Sequence, residues 1–277
     1  MNELPLYIVD AFTATAFRGN PASVCLLEHE LPESEMQAVA AEMRHSETAF
    51  VRPLDGPPAR ATRFSLRWFT PEVEVPLCGH ATLATSAVIF RELANPALEI
   101  HFETKSGRLS ARREGTRIAL DFPAEDSRPA SVAPALIAAL GARQIKAACS
   151  ARSGRSLLLH LADEAEVREL EPDLVRLRAS RGEEPFYGVI VTAAGSGGYD
   201  FVSRFFAPWA GVDEDPVTGA AHCALTPYWA SLTGKREMRA YQASRRGGEM
   251  TVRLKGERVD LVGESVVVAA GILRLER

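Results

Sequence analysis

The chain has 277 residues, 46% of them hydrophobic, with 36 acidic against 32 basic side chains and a formal net charge of −4 at pH 7. That length supports one large domain or two small ones with ample core, and the mild acidity lacks the basic footprint of a nucleic-acid binder. No apolar run reaches the length of a membrane span, the N-terminus shows no signal-peptide pattern, and the four cysteines (Cys25, Cys78, Cys149, Cys223) form neither a CxxC pair nor a metal-ligand spacing. The expectation is a cytoplasmic protein with free thiols, no metal or cofactor, and no nucleic-acid or membrane partner.

In chain order, residues 4–12 read as a strand. Phe17-Arg18-Gly19-Asn20-Pro21 is a turn, because glycine and asparagine tolerate unusual backbone angles and proline fixes the next one. Residues 22–27 form a second strand. Pro32 and Ser34 start a helix with Met36, Val39, Ala40 and Met43 on one face. Arg44-His45-Ser46-Glu47-Thr48 leads into a short strand at 49–51, and Phe64, Leu66 and Trp68 alternate along the next. Gly79 opens an apolar helix. Strands follow at 98–102, 108–112 and 118–122, the last two joined by a turn at Gly115. Arg112-Arg113 and Arg245-Arg246 read as solvated turns.

Residues 123–134 are polar, hold three prolines, and form the candidate linker between an N-terminal lobe (1–122) and a C-terminal lobe (123–264). Beyond it come a helix at 135–140 ended by Gly141, a strand at 156–161, and two short helices. The first of these is capped by Asp163 and the second opened by Pro172. Strands at 188–192 and 199–206, a helix opened by Gly219, and successive strands to Leu275 complete the chain. Strands outnumber helices and many flank hairpin turns, so the fold class is α+β with mixed or antiparallel sheets, not a doubly wound parallel sheet. No GxGxxG follows a first strand and no Walker-type loop exists.

One strand–turn–helix unit occurs twice. Arg67-Trp68-Phe69-Thr70-Pro71 followed by Glu74-Val75-Pro76-Leu77-Cys78-Gly79-His80-Ala81 returns as Arg204-Phe205-Phe206-Ala207-Pro208 followed by Glu214-Asp215-Pro216-Val217-Thr218-Gly219-Ala220-Ala221. A helix N-terminus carries free N–H groups and about half a positive charge, so it attracts anions. Two such ends facing one cleft would hold a small acidic metabolite.

Glu47, between Ser46 and Thr48, suits a general base whose pKa burial would raise. His80 is the second residue of its helix and its counterpart is Ala220, so the two half-sites are chemically unequal. Asp215 stands ready to cap the second helix or to orient a substrate or His80. Cys78 and Thr218 are equivalent, and a racemase working with two thiols would want cysteine at both places. A serine hydrolase lacks its GxSxG.

Four ordered motifs resemble the phenazine-biosynthesis-like (PhzF-like) family. They are Val9-Asp10-Ala11-Phe12 with Phe17-Arg18-Gly19-Asn20-Pro21-Ala22, Ser46-Glu47-Thr48-Ala49-Phe50, Cys78-Gly79-His80-Ala81-Thr82-Leu83-Ala84, and Asp213-Glu214-Asp215-Pro216-Val217-Thr218-Gly219. The resemblance implies a diaminopimelate-epimerase-like fold of two pseudo-symmetric lobes, each a sheet wrapped around a central helix, with residues 265–277 returning to the first lobe. It implies a cofactor-independent isomerase akin to the dihydrohydroxyanthranilate isomerase that founded the family, and a homodimer. Glu47, His80 and Asp215 would be catalytic, and Asn20, Ser46, Cys78, Gly79, Ala81, Thr218, Gly219 and Ala220 would bind substrate. Where the family often has serine after Thr-Gly, this chain has Ala220, losing a hydrogen bond worth about 1 kcal/mol. An epimerase or racemase at one carbon, and a non-catalytic binding protein of the same fold, are the alternatives.

Overall fold

The computed structural model describes residues 2–151, 155–180 and 186–275. Its strands and helices divide between two units, one comprising the described residues up to Asp121 and from Val262 onward, the other Phe122–Leu261.

The first unit begins with β1 (Asn2–Ala11) and β2 (Asn20–Leu26), joined by a braced loop. The buried Asp10 carboxylate accepts the Phe17 N–H at 2.6 Å. Gly19 has φ +62°, and a Cβ there would lie 2.1 Å from the Ala11 carbonyl oxygen, so only glycine fits. Then come α1 (Glu33–Met43), β3 (Thr48–Pro53), β4 (Arg63–Phe69), β5 (Glu74–Val75) and α2 (Gly79–Ala87), which runs on into a π-helical turn, Val88–Glu92. β6 (Glu99–Thr104), β7 (Gly107–Glu114) and β8 (Arg117–Pro123) follow. Every residue of α2 is buried. Its polar members survive there because Thr82, Thr85 and Ser86 return their hydroxyls to carbonyls one turn back, at 2.5–2.7 Å. A second cluster packs α1 residues Met36, Val39 and Ala40 with Leu4, Cys25, Phe50 and Phe69.

The second unit holds β9 (Ser127–Pro129), α3 (Pro134–Leu140), β10 (Ile145–Ala151), β11 (Ser156–Leu161), α4 (Glu164–Glu169), α5 (Leu174–Ala179), β12 (Gly188–Ala194) and β13 (Phe201–Phe206). α6 (Gly219–Thr233), β14 (Glu237–Gln242), β15 (Gly248–Lys255) and β16 (Arg258–Gly263) complete that run, and β17 (Ser265–Leu275) pairs with β1 of the first unit. The side chains of α3, α4 and α5 pack with Leu157, Val189, Val202 and Phe206.

The two units repeat one strand order with one set of directions. In the first, β17–β1–β2 are antiparallel, β2–β3 parallel, β3–β4 antiparallel, β4–β6 parallel and β6–β7 antiparallel. In the second, β9–β10–β11 are antiparallel, β11–β12 parallel, β12–β13 antiparallel, β13–β14 parallel and β14–β15 antiparallel.

Three sequence expectations need correction, and one strand was not foreseen. The stretch 123–134 is not a plain linker, because it contains β9 and is pinned by backbone bonds. The Glu125 N–H reaches the Cys223 carbonyl at 3.0 Å, the acceptor that Pro227 inside α6 cannot serve. The second short helix is capped by Asp173, whose carboxylate accepts the Arg176 N–H at 3.0 Å, and does not open at Pro172. Arg112 and Arg113 lie within β7, and Arg113 packs on the Phe90 ring while donating to the carbonyls of Phe90 and Asn95. β10 was not foreseen, since its residues Ile-Lys-Ala-Ala-Cys-Ser-Ala show no clean alternation. Among the described residues no helix is long and apolar enough to cross a membrane.

Candidate active site

Each copy of the repeated unit is locked by an arginine–glutamate fork. In the first, Arg67 Nε and an Nη meet the two Glu74 carboxylate oxygens at 2.8 and 2.7 Å, and the guanidinium lies 5.1 Å from the Phe69 ring centroid. In the second, Arg204 meets Glu214 at 2.7 and 3.1 Å and lies 4.8 Å from the Phe206 ring centroid. Bidentate pairing fixes direction as well as distance. The hydrogen bonds from Arg67 hold the Glu74 carboxyl below its usual range. The chain then returns in the same register: Val75 pairs with Trp68, and the Asp215 N–H donates to the Phe205 carbonyl at 3.0 Å.

The fork delivers the chain to a helix start. α2 begins after Cys78 and α6 after Thr218, and neither N-terminus has a side-chain cap or an acidic residue in its first turn. Asp215 does not cap α6, contrary to one sequence expectation. Its carboxylate takes the Thr218 hydroxyl at 2.5 Å. An uncapped N-terminus keeps its N–H donors for an anion.

In the first unit, His80 lies beside Glu47 and Cys78. Its Nε2 is 3.3 Å from Glu47 Oε2, without the alignment of a hydrogen bond, and its Nδ1 is 3.5 Å from Cys78 Sγ. Burial of the ring, and secondarily the charge of His45, push the His80 pKa down to about 3. A neighbouring carboxylate favours the imidazolium, yet burial wins, so the ring is neutral at pH 7. Ligand atoms of Glu47, Cys78 and His80 lie within 4.8 Å of one another. Thiol and carboxylate address opposite ring nitrogens, and one ion takes one nitrogen, so the three groups do not converge on a single metal through both contacts. Ser46, the neighbour of Glu47 in sequence, has a long 3.5 Å contact with the buried Asn20.

In the second unit, Gln242 organises the turn. Its Oε1 accepts the Thr218 N–H at 2.8 Å and its Nε2 donates to the Asp215 carbonyl at 2.7 Å. The Ser244 hydroxyl adds a bond to the Pro216 carbonyl at 2.7 Å. His222 bonds the Thr218 carbonyl through Nδ1 at 2.8 Å, and burial pushes its pKa down to about 4.

Strand register identifies the counterpart of Glu47. Thr48 pairs with Phe69, two residues past the forked Arg67, and Val189 pairs with Phe206, two residues past Arg204. Glu47 therefore corresponds to Gly188. A Cβ at Gly188 would stand 2.3 Å from the Phe205 ring, so any side chain there requires the ring to shift.

Of the residues marked from sequence, Glu47, Cys78 and His80 come together at the start of α2, with Gly79 and the fully buried Ala81 on its first turn. Asp215, Thr218, Gly219 and the partly exposed Ala220 share the start of α6. Gln242 was missed, being a distant β-strand glutamine with no local pattern. His45 was passed over, although its Nδ1 lies 2.7 Å from the Ser23 hydroxyl and its charge reaches His80. Its place two residues before Glu47 was the available signal.

A family model described as phenazine biosynthesis-like protein (PhzC-PhzF) matches residues 9–271. The chain is 47% identical over 285 residues to phenazine biosynthesis-like domain-containing protein 2 of Mus musculus, covering 98% of this chain and 99% of that one. It is 44% identical over 273 residues to an uncharacterized isomerase of Pseudomonas aeruginosa, covering 99% of this chain and all of that one. A solved PhzF-family structure from Enterococcus faecalis superimposes with a TM-score of 0.90 at 41% identity, covering 99% of this chain and 100% of that one. A hydroxyproline epimerase of Agrobacterium vitis, 11% identical with a TM-score of 0.62 over 98% of this chain and 92% of that one, shares the fold. The α+β, epimerase-like fold class expected from the sequence is thereby met.

Proposed function

Because the chain belongs to the phenazine biosynthesis-like (PhzC-PhzF) family, whose Pseudomonas relative is named an isomerase, we propose that it is a cofactor-independent isomerase of a small acidic metabolite. The observation that carries the reading is the Glu47 carboxylate 3.3 Å from a buried, neutral His80 at an uncapped helix start. Glu47, as the general base, removes a proton next to a carbonyl, carboxylate or double bond and returns it to another carbon. His80, neutral, donates a hydrogen bond and positions the substrate. Backbone N–H groups at the start of α2 stabilise negative charge as it develops.

Asp215, Thr218 and Gly219 form the matching anion-binding turn of the second unit in this proposal. Their turn repeats the first one, fork and helix start included, and the start of α6 offers a second set of donors for an acidic group. Ser46, next to Glu47 in sequence, and Asn20, 3.5 Å from the Ser46 hydroxyl, complete the substrate contacts in this proposal.

A single base fits an isomerase better than a two-base epimerase, because the position matching Glu47 in the second unit holds Gly188 under the Phe205 ring. The test is a screen of small acids in heavy water, followed by mass and optical analysis of each product. An isomerase incorporates deuterium with a displaced double bond. Exchange at one centre with loss of optical purity would establish an epimerase instead. A ligand that binds tightly and is never converted would remove the catalytic reading.

A further inference from the structure

Two of the three tryptophans have a partner for the indole N–H. Trp229 donates to the Thr192 hydroxyl at 3.0 Å, and Trp209 to the Arg178 carbonyl at 2.9 Å. Trp68 is 1% exposed, and its buried Nε1 has no hydrogen-bond partner among the described residues. A buried donor left unpaired costs the full desolvation of its N–H and is rare in a native fold, so its position calls for a reason.

Strand register places that donor. Thr48 pairs with Phe69, and Ala49 with Trp68. Successive side chains on a strand point to opposite faces. Phe50 and Phe69 pack against α1, so Ala49 and Trp68 belong to the other face. Glu47, two residues before Ala49, reaches that same face, where its carboxylate meets His80 of α2. Trp68 and Glu47 are thus diagonal cross-strand neighbours, a separation that a large aromatic side chain spans. The second unit repeats the relation: Phe205 pairs with Ile190, and its ring lies against Gly188, the counterpart of Glu47. The first unit carries an indole N–H where the second has a plain phenyl ring.

A second polar atom on this face is unsatisfied. His80 Nε2 is buried without a hydrogen bond, 3.3 Å from Glu47 Oε2. The Thr48 hydroxyl also lacks a partner, but it lies on the α1 face and is not part of the group. An indole N–H only donates, so what satisfies it is an oxygen acceptor. We propose that the Trp68 indole N–H is a substrate contact, donating to a carboxylate or carbonyl oxygen of the molecule that Glu47 deprotonates. This rests on the isomerase reading for the role of Glu47, and adds that the substrate presents an oxygen on the Trp68 side of that carboxylate.

The test follows the three indole N–H resonances of the full-length chain by proton–nitrogen NMR, with the Trp68 signal assigned by its loss in Trp68→Phe. Glu47→Gln should move the Trp68 signal and leave those of Trp209 and Trp229 in place. Acetate and pyruvate, which offer a carboxylate and a carbonyl oxygen, are the probes. Either should shift the Trp68 signal downfield in a saturable way, and Trp68→Phe should weaken its binding by about tenfold or more. A Trp68 signal that ignores Glu47→Gln, or that ignores both acids, overturns the proposal, as does unchanged affinity in a folded Trp68→Phe variant. If Trp68→Phe fails to fold, Trp209→Phe and Trp229→Phe assign the remaining signal and the shifts decide. Hydrogen exchange at the wild-type rate in Glu47→Gln would remove the base and leave the indole contact standing; an indifferent indole would remove the contact and leave the base.

Discussion

In the first unit the repeated turn carries Cys78 and His80, with Glu47 ahead of β3; in the second the matching places hold Thr218 and Ala220, with Gly188 at the start of β12. The scaffold under them is the same. Both turns have the forked arginine, the aromatic ring against the guanidinium, and a helix start without a cap. The shared parts are those that fix backbone direction. The parts that differ are those that hold or move a proton. In the second unit Gln242 ties the Thr218 N–H and the Asp215 carbonyl together, and the Phe205 ring lies against the position that matches Glu47.

The sharpest way to break the comparison is to cut the forks one at a time. Arg204 is the more deeply buried, and also donates to the Leu170 carbonyl at 2.6 Å. Arg204→Met should cost about 3 kcal/mol in urea unfolding, because it strands the Glu214 carboxylate and buried carbonyl groups. Arg67→Met should cost about 1 kcal/mol, since the Arg67 side chain is 23% exposed and Glu74 keeps Lys105 as a partner. Equal losses would mean that the two forks carry the same load.

Next in size is Gly188→Ala, which pushes a methyl group into the Phe205 ring and should destabilise by about 1–3 kcal/mol. Combining it with Phe205→Leu should recover part of the loss, and a strictly additive double mutant would show that the ring is not what closes the position.

Acid sharpens the comparison through one histidine in each unit. His80 and His222 are buried and neutral, with pKa values pushed down to about 3 and about 4. The unfolded chain binds protons at these rings from about pH 6.5, so it holds more protons than the native state below that point. Stability is therefore full above about pH 6.5 and falls as the pH drops towards 4 and 3, by about 1.4 kcal/mol per pH unit for each ring. Unfolding curves between pH 7 and 4 should show this slope, and His222→Gln should flatten it by one ring's share. The smallest effect belongs to Ala220→Ser, whose added hydroxyl should change substrate binding by about 1 kcal/mol or less.

The paired turns were legible because a strand with alternating aromatics, a proline turn and a helix-opening glycine each leave a local pattern, and the pattern occurs twice. Asp163 and Gly141 were readable as helix caps for the same reason. What escaped depends on contacts far apart in the chain. Gln242 meets its turn from 24 residues away in Thr218, and Glu125 supplies the donor that Pro227 cannot accommodate. Gly188 looked like an ordinary strand start until the register placed it opposite Glu47's role. Of the two roles open to Asp215, the helix cap is not taken, because the Thr218 hydroxyl donates to its carboxylate instead.

The central claim is that one carboxylate, on the first unit alone, carries the proton. Its most direct test is the rate of hydrogen exchange between heavy water and a bound substrate, measured for the wild type and for Glu47→Gln. The account predicts exchange and turnover slowed by about 10²–10⁴-fold in the variant, with ligand binding preserved. Exchange at the wild-type rate in Glu47→Gln would contradict it.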